Sequence, residues 1–211
     1  IFAAQLASDG MTGPGEPFDG PSGLCQLALA GQSITPDVMG GDNEPFRIIN
    51  TTVKNYPSQI HTQSPIGLAL ELQPKLNTAD IKSITIHTYS NAVSTPSDAP
   101  EKWAPKTRES ADHSIPFTVA AALRDGQVTP NTFTDSSIRD TTIAEIIEKI
   151  TLKEDPSFTS RYSDEYNCHM EITTHSGESL VAKTSFPKGH KNNPLDDGEL
   201  DEKFCKLAIP T

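Results

Sequence analysis

The chain has 211 residues, enough for one large domain or two small ones with a packed core. Its formal net charge of −11, from 28 acidic and 17 basic residues, argues against a nucleic-acid partner, whose phosphates it would repel. No apolar run approaches the ~20 residues that cross a bilayer, so no membrane partner is expected either.

Seventeen prolines and 13 glycines promise many short elements joined by loops. The opening, IFAAQLASDG, starts without Met and inside a helical pattern, so a fragment or processed product is expected. A Gly/Pro turn (MTGPGEPFDG) follows, then a second helix (PSGLCQLALAG) whose Leu24, Leu27 and Ala28 form an i, i+3, i+4 stripe suited to packing. From about residue 46 the pattern changes. FRIINTTVKNY is β-branched and reads as a strand, and SPIGLALELQ reads as a helix. IKSITIHTYS alternates Ile84 and Ile86 against Ser83, Thr85 and His87, as a half-buried strand does. A polar, Pro-rich loop (93–110) leads into the helix of SIPFTVAAALRDG. DTTIAEIIEKI then repeats Ile143, Ile146, Ile147 and Ile150 at helical spacing, with Asp140 or Thr141 as N-cap. CHMEITTHSG and SLVAKTSF read as a β-hairpin turning at Ser-Gly-Glu. DDGELDEKFCKLA reads as a closing helix with acids early and lysines late, as its dipole favours. The fold class is therefore α+β, a small α/β unit flanked by helices.

Cys25, Cys168 and Cys205 are widely spaced and odd in number, which points to thiols rather than a disulfide framework. Cys168 and His169 are neighbours on a strand pattern and so face opposite ways, which makes a catalytic dyad a poor reading. No His, Cys and carboxylate group has metal-ligand spacing, and GGD (40–42) lacks nucleotide-loop spacing.

Two stretches share one construction. HTQSPIGLALEL (61–72) and DHSIPFTVAAAL (112–123) each place a His, a Ser and a Pro ahead of an apolar stripe. Pro suits a helix start, where N–H groups are unpaired anyway, and Ser64 and Ser114 are natural N-caps. A helix start is electropositive and rich in free N–H donors, so each mouth is expected to be an anion site. His61 and His113 would stand beside these sites, Thr62 and Gln63 would add neutral donors, and Lys54, Lys106 and Arg108 would add positive charge. The ligand this implies is a small polycarboxylate, because two helix ends and an Arg fork suit two or three carboxylates. Asp112 either caps the helix, the favoured role, or orients His113.

The stretches VKNYPSQIHTQSPIGLALEL, EKWAPKTRESADHSIPFTVAAALRDG and FPKGHKNNPLDDGELDEKF, with the early MTGPGEPFDGPSG, together resemble the 2-methylcitrate dehydratase (MmgE/PrpD) family. The resemblance implies an all-helical domain and a smaller α/β lid with the active site between them. Residues 1–45 would end the helical domain, 46–185 would form the lid, and 186–211 would rejoin the helical domain. It also implies a chain of about twice this length, with further catalytic residues in an absent N-terminal half.

By the same resemblance the activity is that of a cofactor-independent, metal-free lyase of small polycarboxylates, most simply a hydro-lyase of 2-methylcitrate in propionate metabolism. A homodimer is implied, cytoplasmic or, in a eukaryote, mitochondrial. His61 would supply acid or base chemistry with Lys54 and Arg108 as electrostatic clamps. His113 and Ser114 would line the carboxylate pocket. The decarboxylase branch carries a His at the position of Gln59, which favours dehydration here. The alternatives are a cis-aconitate decarboxylase or epimerase branch, and a non-catalytic lid or dimerisation remnant. A hydrolase using Ser114–His113 or Cys168–His169 would need an oxyanion hole that the sequence does not offer.

Overall fold

A computed structural model of the chain describes residues 1–32, 43–94 and 99–208. The Gly40–Asp42 stretch and residues 95–98 of the Pro-rich loop lie outside the described residues. The chain divides into two compact units, Ile1–Ile49 and Asn50–Thr211.

The first unit carries helices α1 (Phe2–Ser8) and α2 (Leu24–Ala28). The Gly/Pro turn between them doubles back so that Leu24 and Cys25 donate backbone hydrogen bonds to the carbonyls of Pro17 and Phe18, both at 3.0 Å. This turn buries Cys25, whereas the Leu24, Leu27 and Ala28 stripe expected to pack is exposed. FRIINTTVKNY does not form a strand. Arg47–Asn50 is a 3-10 turn, and the residues after it pair with no sheet.

The second unit is α+β. Its elements are α3 (Gln63–Leu72), β1 (Ile81–Thr88), α4 (Ser90–Ser94), α5 (Pro100–Trp103), α6 (Arg108–Asp112), α7 (Ile115–Asp125), α8 (Asp135–Ile138), α9 (Thr141–Ile147), β2 (Ile150–Glu154), α10 (Pro156–Thr159), β3 (Cys168–Thr174), β4 (Ser179–Thr184) and α11 (Asp197–Ala208). The sheet has the order β2-β1-β3-β4, with β1 and β2 parallel and the other two pairs antiparallel. Ile84, Ile86, Met170, Ile172 and Ala182 are buried on one face, under α3. α7 packs on α3 and α9 and is buried from Ile115 through Leu123. Cys168 is buried and its thiol pKa is pushed far up by burial, while its neighbour His169 stacks on His87 on the open face. The two are therefore on opposite sides of the sheet.

Two sequence readings change here. Ile150 does not continue α9 but begins β2, paired with Ile84. Ser64 is not an N-cap. It is the second residue of α3 and donates to the Tyr166 carbonyl at 2.8 Å. α7 does start as expected, with Ser114 accepting from the Phe117 N–H at 3.0 Å and Pro116 in the first turn. It ends at Gly126, whose φ of +66° makes the left-handed cap that glycine adopts without strain. Residues 186–208, including α11, cluster with the sheet unit.

Candidate functional site

A cavity of about 1120 Å³ opens in the second unit. Its walls come from four places: the irregular segment Lys54–Gln59, the pair Asp112–His113 between α6 and α7, one face of α11 with Glu199, Glu202, Lys203 and Lys206, and the segment 126–131 after α7. Gln127, Thr129 and Asn131 supply neutral polar groups.

The Lys54–Gln59 segment has no secondary structure, so its position must come from elsewhere. Gln63 holds it. The Gln63 carboxamide accepts from the Tyr56 N–H at 3.0 Å and donates to the Tyr56 carbonyl at 3.1 Å and to Ser58 Oγ at 3.1 Å. On the other side, the Val53 N–H donates to the Gly189 carbonyl at 2.9 Å. Gly189 has φ +89°, and a Cβ there would lie 1.8 Å from the Val53 carbonyl oxygen, so only glycine allows this approach. Lys203 Nζ donates to the Lys54 carbonyl. The Gln59 N–H donates to the Asp112 carbonyl at 3.0 Å, which joins two of the walls directly.

Lys54, Asp112 and His113 thus line one cavity, and the other candidates do not join them. Gln63 is 1% exposed and its amide is consumed by the loop it holds. Ser114 is fully buried, caps α7 and donates to the Lys102 carbonyl, so it presents nothing to the cavity. Arg108 and Lys106 are exposed at the start of α6, away from the cavity wall. The first turns of α3 and α7 do not share a cavity: the α7 start is buried, and the α3 start borders a separate cleft of about 260 Å³. The open helix tips expected from sequence are closed by capping and packing.

His61 is not on the cavity wall either. It sits in a 3-10 turn (Ile60–Thr62), is 8% exposed, and places Nδ1 2.7 Å from Tyr89 Oη, with Tyr162 packed beside the ring. Burial lowers its pKa. His190, in the loop before α11, is lowered in the same direction by burial and then by Lys191. The unfolded chain accepts these protons near the ordinary imidazole pKa, whereas the folded chain resists them. Stability is therefore complete above about pH 6.5 and is lost as pH falls from there through the folded-state values. The urea midpoint is expected to drop between about pH 7.5 and pH 5, and His61→Gln to shrink that drop. An unchanged drop would assign the effect to His190 alone.

Asp112 does not cap α7. Its carboxylate meets His113 Nδ1, and the Glu109 carbonyl lies 3.1 Å from the same nitrogen. Two acceptors on Nδ1 mean that Nδ1 carries the proton, so in the neutral ring Nε2 is the bare nitrogen. The His113 side chain is 47% exposed. The charges of the cavity are unequally satisfied. Glu202 pairs with Lys206 at 2.6 Å, and Glu199 pairs with Lys188 at 2.7 Å. Lys54 and Lys203 have no carboxylate partner among the described residues. No cluster of three or more His, Cys, Asp or Glu among the described residues is placed to hold a metal ion.

The α+β unit thus presents lysines and an Asp-bound imidazole to one cavity. The C-terminal-domain profile of the MmgE/PrpD family matches residues 56–211, and the chain belongs to that family. A 2-methylcitrate dehydratase of Salmonella typhimurium is 29% identical over 164 residues, which cover 71% of this chain and 33% of that protein. The Escherichia coli K12 protein of the same name is 30% identical over 115 residues, 52% of this chain and 23% of that protein. Human cis-aconitate decarboxylase is 27% identical over 100 residues, 47% of this chain and 21% of that protein. The matched part spans about a third or less of these relatives' length.

Proposed function

We propose that this chain supplies the carboxylate-binding wall and a proton-transfer group of a lyase acting on a small polycarboxylate, by dehydration of 2-methylcitrate or a related acid. The observation that carries the reading is that the two cavity lysines without carboxylate partners stand in the same cavity as His113, in a chain of net charge −11. On an acidic protein such a site selects anions locally.

Loss of water from a hydroxy acid needs a base for a proton α to a carboxylate, an acid for the departing hydroxyl, and cations for the charge that develops. Lys54 holds a carboxylate and stabilises that charge. His113 Nε2 takes the C–H proton while Asp112 stabilises the imidazolium through Nδ1. The imidazolium then returns the proton to the leaving hydroxyl, and water departs as the double bond forms. The reading gives this role to His113 rather than His61, because His61 lies outside the cavity wall, tied to Tyr89. Gln59 favours dehydration over decarboxylation in the same terms: its carboxamide cannot transfer protons, and it already accepts from the His61 N–H at 2.6 Å.

The test is calorimetric titration of the chain with citrate, paired with a turnover assay on 2-methylcitrate. Saturable citrate binding that falls at least ~10-fold in Lys54→Met is expected, as for loss of one charge-assisted contact. Citrate binding that Lys54→Met leaves untouched would remove the reading. Binding intact with no turnover would favour the non-catalytic lid alternative.

A further inference from the structure

Lys203 was not singled out by any motif, yet it is the second cavity lysine without a carboxylate partner among the described residues. It lies on α11, a helix whose sequence reads only as a capped, solvated end. Two cationic side chains of this region have found carboxylates: Lys206 has Glu202 and Lys188 has Glu199. Lys203 instead reaches across to the Lys54 carbonyl. An ammonium carries three N–H donors, and this contact uses one. Two donors and the full charge remain, held at the backbone of Lys54, whose own ammonium also has no carboxylate partner among the described residues. The two charges are thus separated by no more than one lysine side chain and a hydrogen bond, a span that a small di- or tricarboxylate bridges.

We propose that Lys203 is a second substrate-binding residue, which with Lys54 forms a two-lysine grip on a polycarboxylate. The ligand class is a small acid with at least two carboxylates, because a single carboxylate satisfies only one side of the grip. α11 then contributes to recognition. This inference rests on the polycarboxylate reading of the cavity.

The experiment compares citrate and acetate binding by titration calorimetry for the unmodified chain and for Lys203→Met, Lys203→Arg, Lys54→Met and Lys82→Met. Lys82 is exposed on β1 and outside the cavity, so Lys82→Met controls for net charge. Lys203→Met is expected to weaken citrate at least tenfold, Lys203→Arg to restore it to within about threefold, and Lys82→Met to leave it unchanged. Acetate is expected to bind the unmodified chain at least a hundredfold more weakly than citrate. Citrate affinity unchanged in Lys203→Met but weakened in Lys54→Met overturns the two-lysine grip and leaves the cavity reading standing. Affinity lost equally in Lys203→Met and Lys203→Arg, with the unfolding midpoint lowered in both, assigns Lys203 to docking α11 and also overturns the grip. No saturable citrate binding by the unmodified chain overturns the grip and the reading beneath it together.

Discussion

On the lyase reading, turnover of 2-methylcitrate is expected to fall at least ~100-fold on His113→Gln, with the thermal unfolding midpoint unchanged. Glutamine matches much of the reach of histidine and can keep a donor near Asp112, but it cannot accept and return a proton. The side chain is 47% exposed, so the fold should not register the change. Asp112→Asn is expected to give a smaller loss in the same direction. An amide can accept or donate toward Nδ1, so the neutral ring is no longer held with Nε2 bare. Followed by the ultraviolet absorbance of the alkene product, a His113→Gln variant within tenfold of the unmodified protein would remove His113 from the chemistry.

Phe117→Ala is expected to give the largest loss of stability, about 3–5 kcal/mol, as for other buried aromatic truncations. Phe117 is fully buried on α7, the helix that joins α3 to α9, and its ring faces Phe133 at 6.0 Å. Removing it opens a void between elements already braced on both sides, which limits collapse. Against a typical total of about 5–15 kcal/mol, this takes a large part of the stability of the sheet unit. Phe204→Ala is the matched control: that ring is 68% exposed on α11, and its loss is expected to stay within about 0.5 kcal/mol. Urea unfolding at one pH reads both, and a Phe117→Ala midpoint near the control would mean that the α7 contact with Phe133 is not a true core contact.

Much of the sheet unit was legible because its signals are local. Ile84 and Ile86 alternate with polar neighbours and lie in β1, and Ser114 with Pro116 marks the start of α7. β2 was missed because Ile150 continues the spacing of Ile143, Ile146 and Ile147, and a five-residue edge strand directly after a helix has no pattern of its own. FRIINTTVKNY has the composition of a strand, but strand propensity is realised only where a partner strand offers its hydrogen bonds, and among the described residues it pairs with none. The site was half legible. Lys54, Asp112 and His113 stand in local motifs, but the third wall is α11, whose contact with Lys54 spans 149 residues of sequence. Such a contact leaves no periodic trace. Ser114 and Gln63 misled for the opposite reason: a polar residue at a helix start serves the backbone as readily as a ligand, and here the backbone took both.

The approach of Gly189 to Val53 also bears on the order of events in folding. The loop it closes encloses all four strands, and contacts across so long a stretch form only after its entropic cost has been met by nearer ones. The hairpin and the α3–α7 pair can assemble while Lys54 still hangs free. On the polycarboxylate reading, anion binding would therefore arrive at the final step, and an intermediate with a complete sheet would have little of it. A bound polycarboxylate, by mass action, would in turn hold shut the last part of the chain to close.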